Sequence, residues 1–151
     1  MKRLDMVGVG HKPDVLRVAV AEGKIRLRPE TLELIKTGKV EKGDPILAAQ
    51  LAGILAAKRT PELIPLCHPI PITKVDVEAE LEEDGVRIRA RVEAVAKTGV
   101  EMEALTAVST ALLTVWDMVK KYEKDEAGQY PHTVITGIRV LSKLKGEAKA
   151  A

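Results

Sequence analysis

Residues 72–92 read ITKVDVEAELEEDGVRIRARV. Apolar and charged residues alternate through Val75, Val77, Ala79 and Leu81, and again through Val86, Ile88, Ala90 and Val92. A period of two puts each apolar set on one face of a strand. Glu82-Glu83-Asp84-Gly85 separates the two runs. Turn residues between two alternating runs predict an antiparallel hairpin.

Helical signals flank this hairpin on both sides. Upstream, Asp44 is a good N-cap and Pro45 suits the first helical position. The segment from Pro45 to about Lys58 is Ala-rich and apolar on most sides, which predicts a mostly buried helix. Downstream, Thr98-Gly99-Val100-Glu101 reads as a capping box with Thr98 as cap and Glu101 reaching back. A long helix is expected from there to about Tyr122, with Leu105, Val108, Leu112, Val115 and Val119 as its core stripe. Further out, Leu16 to Leu27 reads as extended segments broken at Glu22-Gly23. A short helix from Pro29 should end at Gly38, and Val134 to Lys143 reads as a last strand.

The resulting order, β-α-β-β-α-β, is the split βαβ pattern of a ferredoxin-like α+β sandwich: an antiparallel sheet with helices on one face. The other face must be polar or covered by another subunit, and a homo-oligomer is the expected cover. The 151 residues suit a single domain, residues 1–151, with flexible ends at 1–13 and 145–151.

Composition narrows the function. The 46% apolar fraction can build a core, but with no Phe, one Trp and two Tyr it must be an aliphatic one. A net charge of +2 and so few aromatics disfavour a nucleic-acid binder, which needs a clustered basic excess and rings to stack bases. The single Cys67 cannot form an internal disulfide or a multi-cysteine metal site, and suits a cytoplasmic protein. The N-terminal residues lack the apolar run of a signal peptide, and Ile46 to Ala57 is too short to span a bilayer.

Three stretches concentrate polar chemistry. Lys42 in Glu41-Lys42-Gly43-Asp44 precedes a helix N-terminus, where partial positive charge favours anions; a solvated lysine is the plainer alternative. Residues 57–71 hold four of the eight prolines, so the loop around Cys67-His68 should be stiff enough to fix a polar side chain. Cys67 reads first as a small buried thiol, and His68 equally as a structural or a substrate-binding histidine. Neighbours on an extended chain point apart, so the two cannot easily share a proton. In the third stretch, Glu101 and Glu103 fall in a first helical turn, where capping alone could explain them. Asp117 and Lys120, three residues apart, share a helix face, either as a surface ion pair or as a proton-transfer pair in a cleft.

Taken together, Lys42-Gly43-Asp44, Ala52-Gly53-Ile54, Ala56-Ala57-Lys58-Arg59-Thr60, Leu63-Ile64-Pro65-Leu66-Cys67-His68-Pro69, the run Lys97 to Thr106, and Asp117-Met118 with Lys120 resemble the cyclic pyranopterin monophosphate synthases, the molybdenum cofactor biosynthesis protein C family. The resemblance runs from about Lys12 to Lys143, and it loosens at Met6 to Val9, at Val15 and after Lys143. It implies a lyase that converts 3',8-cyclo-7,8-dihydroguanosine triphosphate to cyclic pyranopterin monophosphate and pyrophosphate. It implies a homohexamer, a trimer of dimers, with active sites between subunits. Carried over by motif, the acid–base residues are Asp117, Lys42 and Lys120. The substrate contacts are Leu66, Cys67, His68, Met102 and Glu103, with Glu101, Arg17, Lys58 and Lys143 as further pocket residues.

Such chemistry suits those residue types. A triphosphate calls for converging lysines and arginines. Ring rearrangement needs proton transfers, for which clustered lysines make usable acids and bases. It needs no redox cofactor, and magnesium would enter through the substrate's phosphates rather than a protein cage. The alternative is a non-catalytic ferredoxin-like oligomer binding a small anion.

Overall fold

The hairpin forms as expected between β2 (Ile72–Glu82) and β3 (Gly85–Ala96) in the computed structural model, which describes residues 2–146. With β1 (Val15–Arg26) and β4 (Val134–Lys145) the described residues make one antiparallel sheet in the order β2-β3-β1-β4. Two helices, α1 (Pro29–Lys36) and α2 (Pro45–Lys58), and the single turn α3 (Thr60–Leu63) lie between β1 and β2. The long α4 (Glu101–Glu123) lies between β3 and β4. This is the βαββαβ sandwich. The flexibility expected at Met1 and at 147–151 lies outside the described residues; Lys145 is still paired with Arg17 in the sheet.

The core sits between the inner faces of β1 and β3 and one stripe of α4. Ile25, Val86, Ile88, Val92, Val108, Leu112, Val115 and Val119 are all fully buried there, while Leu105 is only partly so. The sheet's other face is polar. At its centre Glu22 is buried beneath Arg139 (3.0 Å), Arg89 (3.4 Å) and Arg87 (3.5 Å). Burial pushes the Glu22 carboxyl up, but the arginines outweigh it and hold it below the ordinary range.

Four local expectations need correction. Glu22-Gly23 does not break β1: Gly23 pairs with Ile88, and the register shifts only on the β4 side. Its glycine answers a packing need instead, because a first side-chain carbon there would lie 2.8 Å from Leu112 Cδ1 and 3.0 Å from Val108 Cγ1 of α4. Thr98 does not cap α4. Val100 takes that position without a side-chain hydrogen bond, and Glu101 turns to Lys143. The stiff proline loop begins with the helical turn α3. Finally, α2 is not buried on most sides. It packs a face of small residues (Ala49, Gly53, Ala56, Ala57) inward and leaves Leu47, Leu51 and Leu55 at 64%, 58% and 45% exposure. An aliphatic helix without a polar face gives the sequence no sign of which side looks outward.

One buried carboxylate ties the elements together at the end of α4. Glu123 accepts hydrogen bonds from the Arg28 amide, Thr31 Oγ1 and Thr133 Oγ1, so it joins α4 to the start of α1 and the approach to β4. Glu123→Ala leaves these donors unsatisfied. It is expected to lower unfolding free energy in urea by about 2–3 kcal/mol, and Glu123→Gln by less.

Candidate functional site

Asp44 caps α2 by accepting from the Ile46 and Leu47 amides, and so fixes the turn that carries Lys42. From that turn Lys42 Nζ reaches Asp117 at 3.2 Å (Oδ2) and donates to the Asp117 carbonyl at 3.1 Å. Lys120 Nζ stands 3.2 Å from the other carboxylate oxygen, Oδ1. One carboxylate thus lies between two ammonium groups, on a half-exposed surface. Lys42 first, and then Lys120, hold the Asp117 carboxyl below its ordinary range.

The other candidates gather at the opposite end of α4. Because α2 runs antiparallel to α4, with Gly43 beside Met118 and Gly53 beside Ala107, Lys58 stands level with the first turn of α4. Lys143 Nζ pairs with Glu101 at 2.7 Å. Burial works to raise the Glu101 carboxyl, but Lys143, the backbone and the charge of Arg17 bring it below the ordinary range. Arg17 is buried, donating to the carbonyls of Ala96 (3.4 Å) and Lys97 (3.1 Å) where β3 ends. Leu66 and Met102 are both 40% exposed, which leaves apolar surface open beside these charges.

Glu103 is the unusual group here. It is 1% exposed, its Oε2 accepts weakly from Cys67 Sγ at 3.7 Å, and among the described residues Oε1 has no partner. Burial raises its carboxyl above the ordinary range. Burial, then the charge of Glu103, pushes the Cys67 thiol up to about 11, so Cys67 is no thiolate nucleophile at neutral pH. His68 lines a cavity of about 250 Å³ with Asp14, Ile70, Lys97 and Thr98. Lys97 binds the N-terminal segment over this cavity through the Lys12 carbonyl at 3.0 Å.

Within one chain, then, the candidates form two groups rather than one pocket. Lys42, Asp117 and Lys120 meet at one end; Arg17, Lys58, Leu66, Cys67, His68, Glu101, Met102, Glu103 and Lys143 are drawn to the other. Glu103 and Asp117, fourteen residues apart on one straight helix, are separated by roughly 21 Å. Four larger cavities, of about 420, 420, 370 and 350 Å³, lie elsewhere among the described residues, and none contains a candidate residue. Among the described residues no three His, Cys, Asp or Glu come together as metal ligands.

The structure also brings in residues that were not nominated from the sequence. Lys97 could have been found, since it directly precedes Thr98-Gly99. Tyr122, whose hydroxyl accepts from the Glu41 amide at 2.9 Å, could not, because the contact spans 81 positions.

The state of Glu103 can be checked by stability. A carboxyl raised on folding contributes stability that is complete below its ordinary value, near 4.3, and is lost as pH rises through the folded value. Glu103→Gln escapes that loss. Its Tm is therefore expected to exceed the parent's at pH 8, with the difference closing below about pH 4.

Comparison with known proteins identifies the family. The MoaC family profile matches residues 6–146. A probable cyclic pyranopterin monophosphate synthase of Thermococcus kodakarensis is 64% identical over 146 residues, covering 97% of this chain and 94% of the relative. Proteins of the same name from Sulfurisphaera tokodaii and Methanosarcina mazei are 63% and 60% identical, covering 96% and 97% of this chain and 96% and 93% of their own lengths. With a family match and relatives this similar over nearly the whole chain, the chain belongs to the MoaC family.

Proposed function

We propose that this chain acts as a cyclic pyranopterin monophosphate synthase, converting 3',8-cyclo-7,8-dihydroguanosine triphosphate to cyclic pyranopterin monophosphate and pyrophosphate for molybdenum cofactor. One observation carries the assignment to particular residues. Lys42 and Lys120, from segments nearly eighty positions apart, converge on the two oxygens of Asp117. Two ammonium donors around one carboxylate can give and take protons during ring rearrangement, with the carboxylate orienting whichever lysine is working. At the other end, Arg17, Lys58 and Lys143 supply the cations that a triphosphate and departing pyrophosphate require. There Glu103, Met102, Leu66 and His68 offer a half-apolar seat for the purine-derived ring. The reaction is redox-neutral and calls for no resident cofactor. Magnesium would ride on the substrate's phosphates, and the enzyme would work in the cytoplasm.

The two groups of residues serve one substrate only if the acid–base end of one chain meets the binding end of another. We propose a homohexamer, a trimer of dimers, with sites between subunits. The exposed leucines support it: Leu47, Leu51 and Leu55 on α2 and Leu113 at 59% on α4 form an apolar surface of the kind that a partner covers.

The test is turnover of the cyclised GTP derivative, followed by pyrophosphate release. Lys42→Ala, Asp117→Ala and Lys120→Ala should each lose about 10²–10⁴-fold in kcat. Their Tm should stay close to the parent's, because all three side chains are half-exposed. Full turnover in these variants removes the assigned roles.

A further inference from the structure

The turn that carries Lys42 is fastened to α4 at a second point. The Glu41 amide donates to the Tyr122 hydroxyl at 2.9 Å, and the Glu41 carboxylate pairs with Lys121 Nζ. Lys121 also stands 5.4 Å from the centre of the Tyr122 ring. Tyr122 is itself well anchored. Its ring packs against the core, and its carbonyl accepts from Arg28 Nη1 at 3.2 Å. The neighbouring Glu123 is fully buried and holds the start of α1. The Tyr122 hydroxyl is thus a fixed point beside the exposed turn that carries Lys42.

Lys42 needs such a point. It and Asp117 are 48% and 59% exposed, and an ion pair in water between a long flexible side chain and a short one does little to hold its own geometry. The backbone position of the turn must set how often the ammonium rests on the carboxylate. We propose that Tyr122, assisted by the Glu41–Lys121 pair, is a positioning clamp that sets the Lys42 ammonium against Asp117. The proposal rests on Lys42 and Asp117 forming the acid–base centre, but the clamp itself can be observed without turnover.

Among the described residues two charged groups face the Asp117 carboxyl: Lys42 from the turn and Lys120 from its own helix. Glu41 and Lys121, one step away, offset each other. Lys42 lowers Asp117 most. Loosening the turn withdraws Lys42, so the Asp117 titration should move up toward the ordinary carboxylate range.

Tyr122→Phe keeps the ring and removes the hydroxyl. In the folded variant, carbon-13 NMR titration of the Asp117 carboxyl should show an upward-shifted midpoint. With cyclised GTP derivative as substrate, kcat should fall about three- to tenfold with KM nearly unchanged, and the acid limb of the kcat profile should move up with Asp117. Replacing the pair as a whole, Glu41→Gln with Lys121→Gln, leaves the net charge beside Asp117 unchanged and should shift the titration the same way by a smaller step. Loss of the fold would return every shifted carboxyl to its ordinary range, so the Glu82 carboxyl, held low by Arg87 and Lys24, must stay in place in the same titration. If Tyr122→Phe does not fold, the charge-neutral Glu41→Gln/Lys121→Gln variant carries the same readout. An Asp117 midpoint unchanged in these variants overturns the clamp. A shifted midpoint with kcat and its pH profile unchanged upholds the clamp and removes the acid–base reading instead.

Discussion

The close antiparallel contact of α2 with α4 is the constraint on which the candidate site depends. It closes up at Gly53, where even a methyl group would lie 3.1 Å from the Ala107 carbonyl oxygen and from both Val77 methyls. Backbones this near leave no freedom to slide, so the contact sets the register of everything α2 carries at its ends. One end delivers the Lys42 turn to Asp117; the other delivers Lys58 and, through α3, the Cys67-His68 loop to Glu103. The small residues that permit this contact also turn the leucines of α2 outward. The same packing choice that aligns the polar groups thus leaves an apolar surface for another chain.

The two buried glutamates of α4 show how similar residues serve different ends. Glu123 and Glu103 are each 1% exposed. Glu123 has donors for both oxygens and fastens three elements together. Glu103 has a weak thiol donor on one oxygen and no partner among the described residues for the other. A fully satisfied buried carboxylate stabilises a fold, whereas a half-satisfied one is tolerated where a ligand completes it. Glu103 also feels the charge of nearby Glu101, which Lys143 and Arg17 offset. That end of the helix is therefore built to hold charge and burial together.

Much of this was legible in the sequence because it is local. Alternation over residues 72–92 gave the hairpin, Asp44-Pro45 the start of α2, and the stripe from Val108 to Val119 the face of α4. The Asp117–Lys120 pair follows from helical spacing alone. What the sequence concealed depends on contacts between distant segments. Gly23 looks like a strand break until the Leu112 and Val108 side chains are seen above it. Glu101 fits a capping box until Lys143 arrives from the last strand. Nothing local reports that Tyr122 meets Glu41, or that the candidates divide between two ends of one helix.

The division of the site is tested most directly by mixing defective chains. Asp117→Ala disables one end and His68→Ala the other, so each alone should be inactive. If the site joins ends from different subunits, co-refolding the two variants in equal amounts should restore about a quarter of the wild-type rate, because that share of random pairings joins two intact ends. Mixed oligomers, verified by mass spectrometry, that release no pyrophosphate above the separate variants would contradict a site shared between chains.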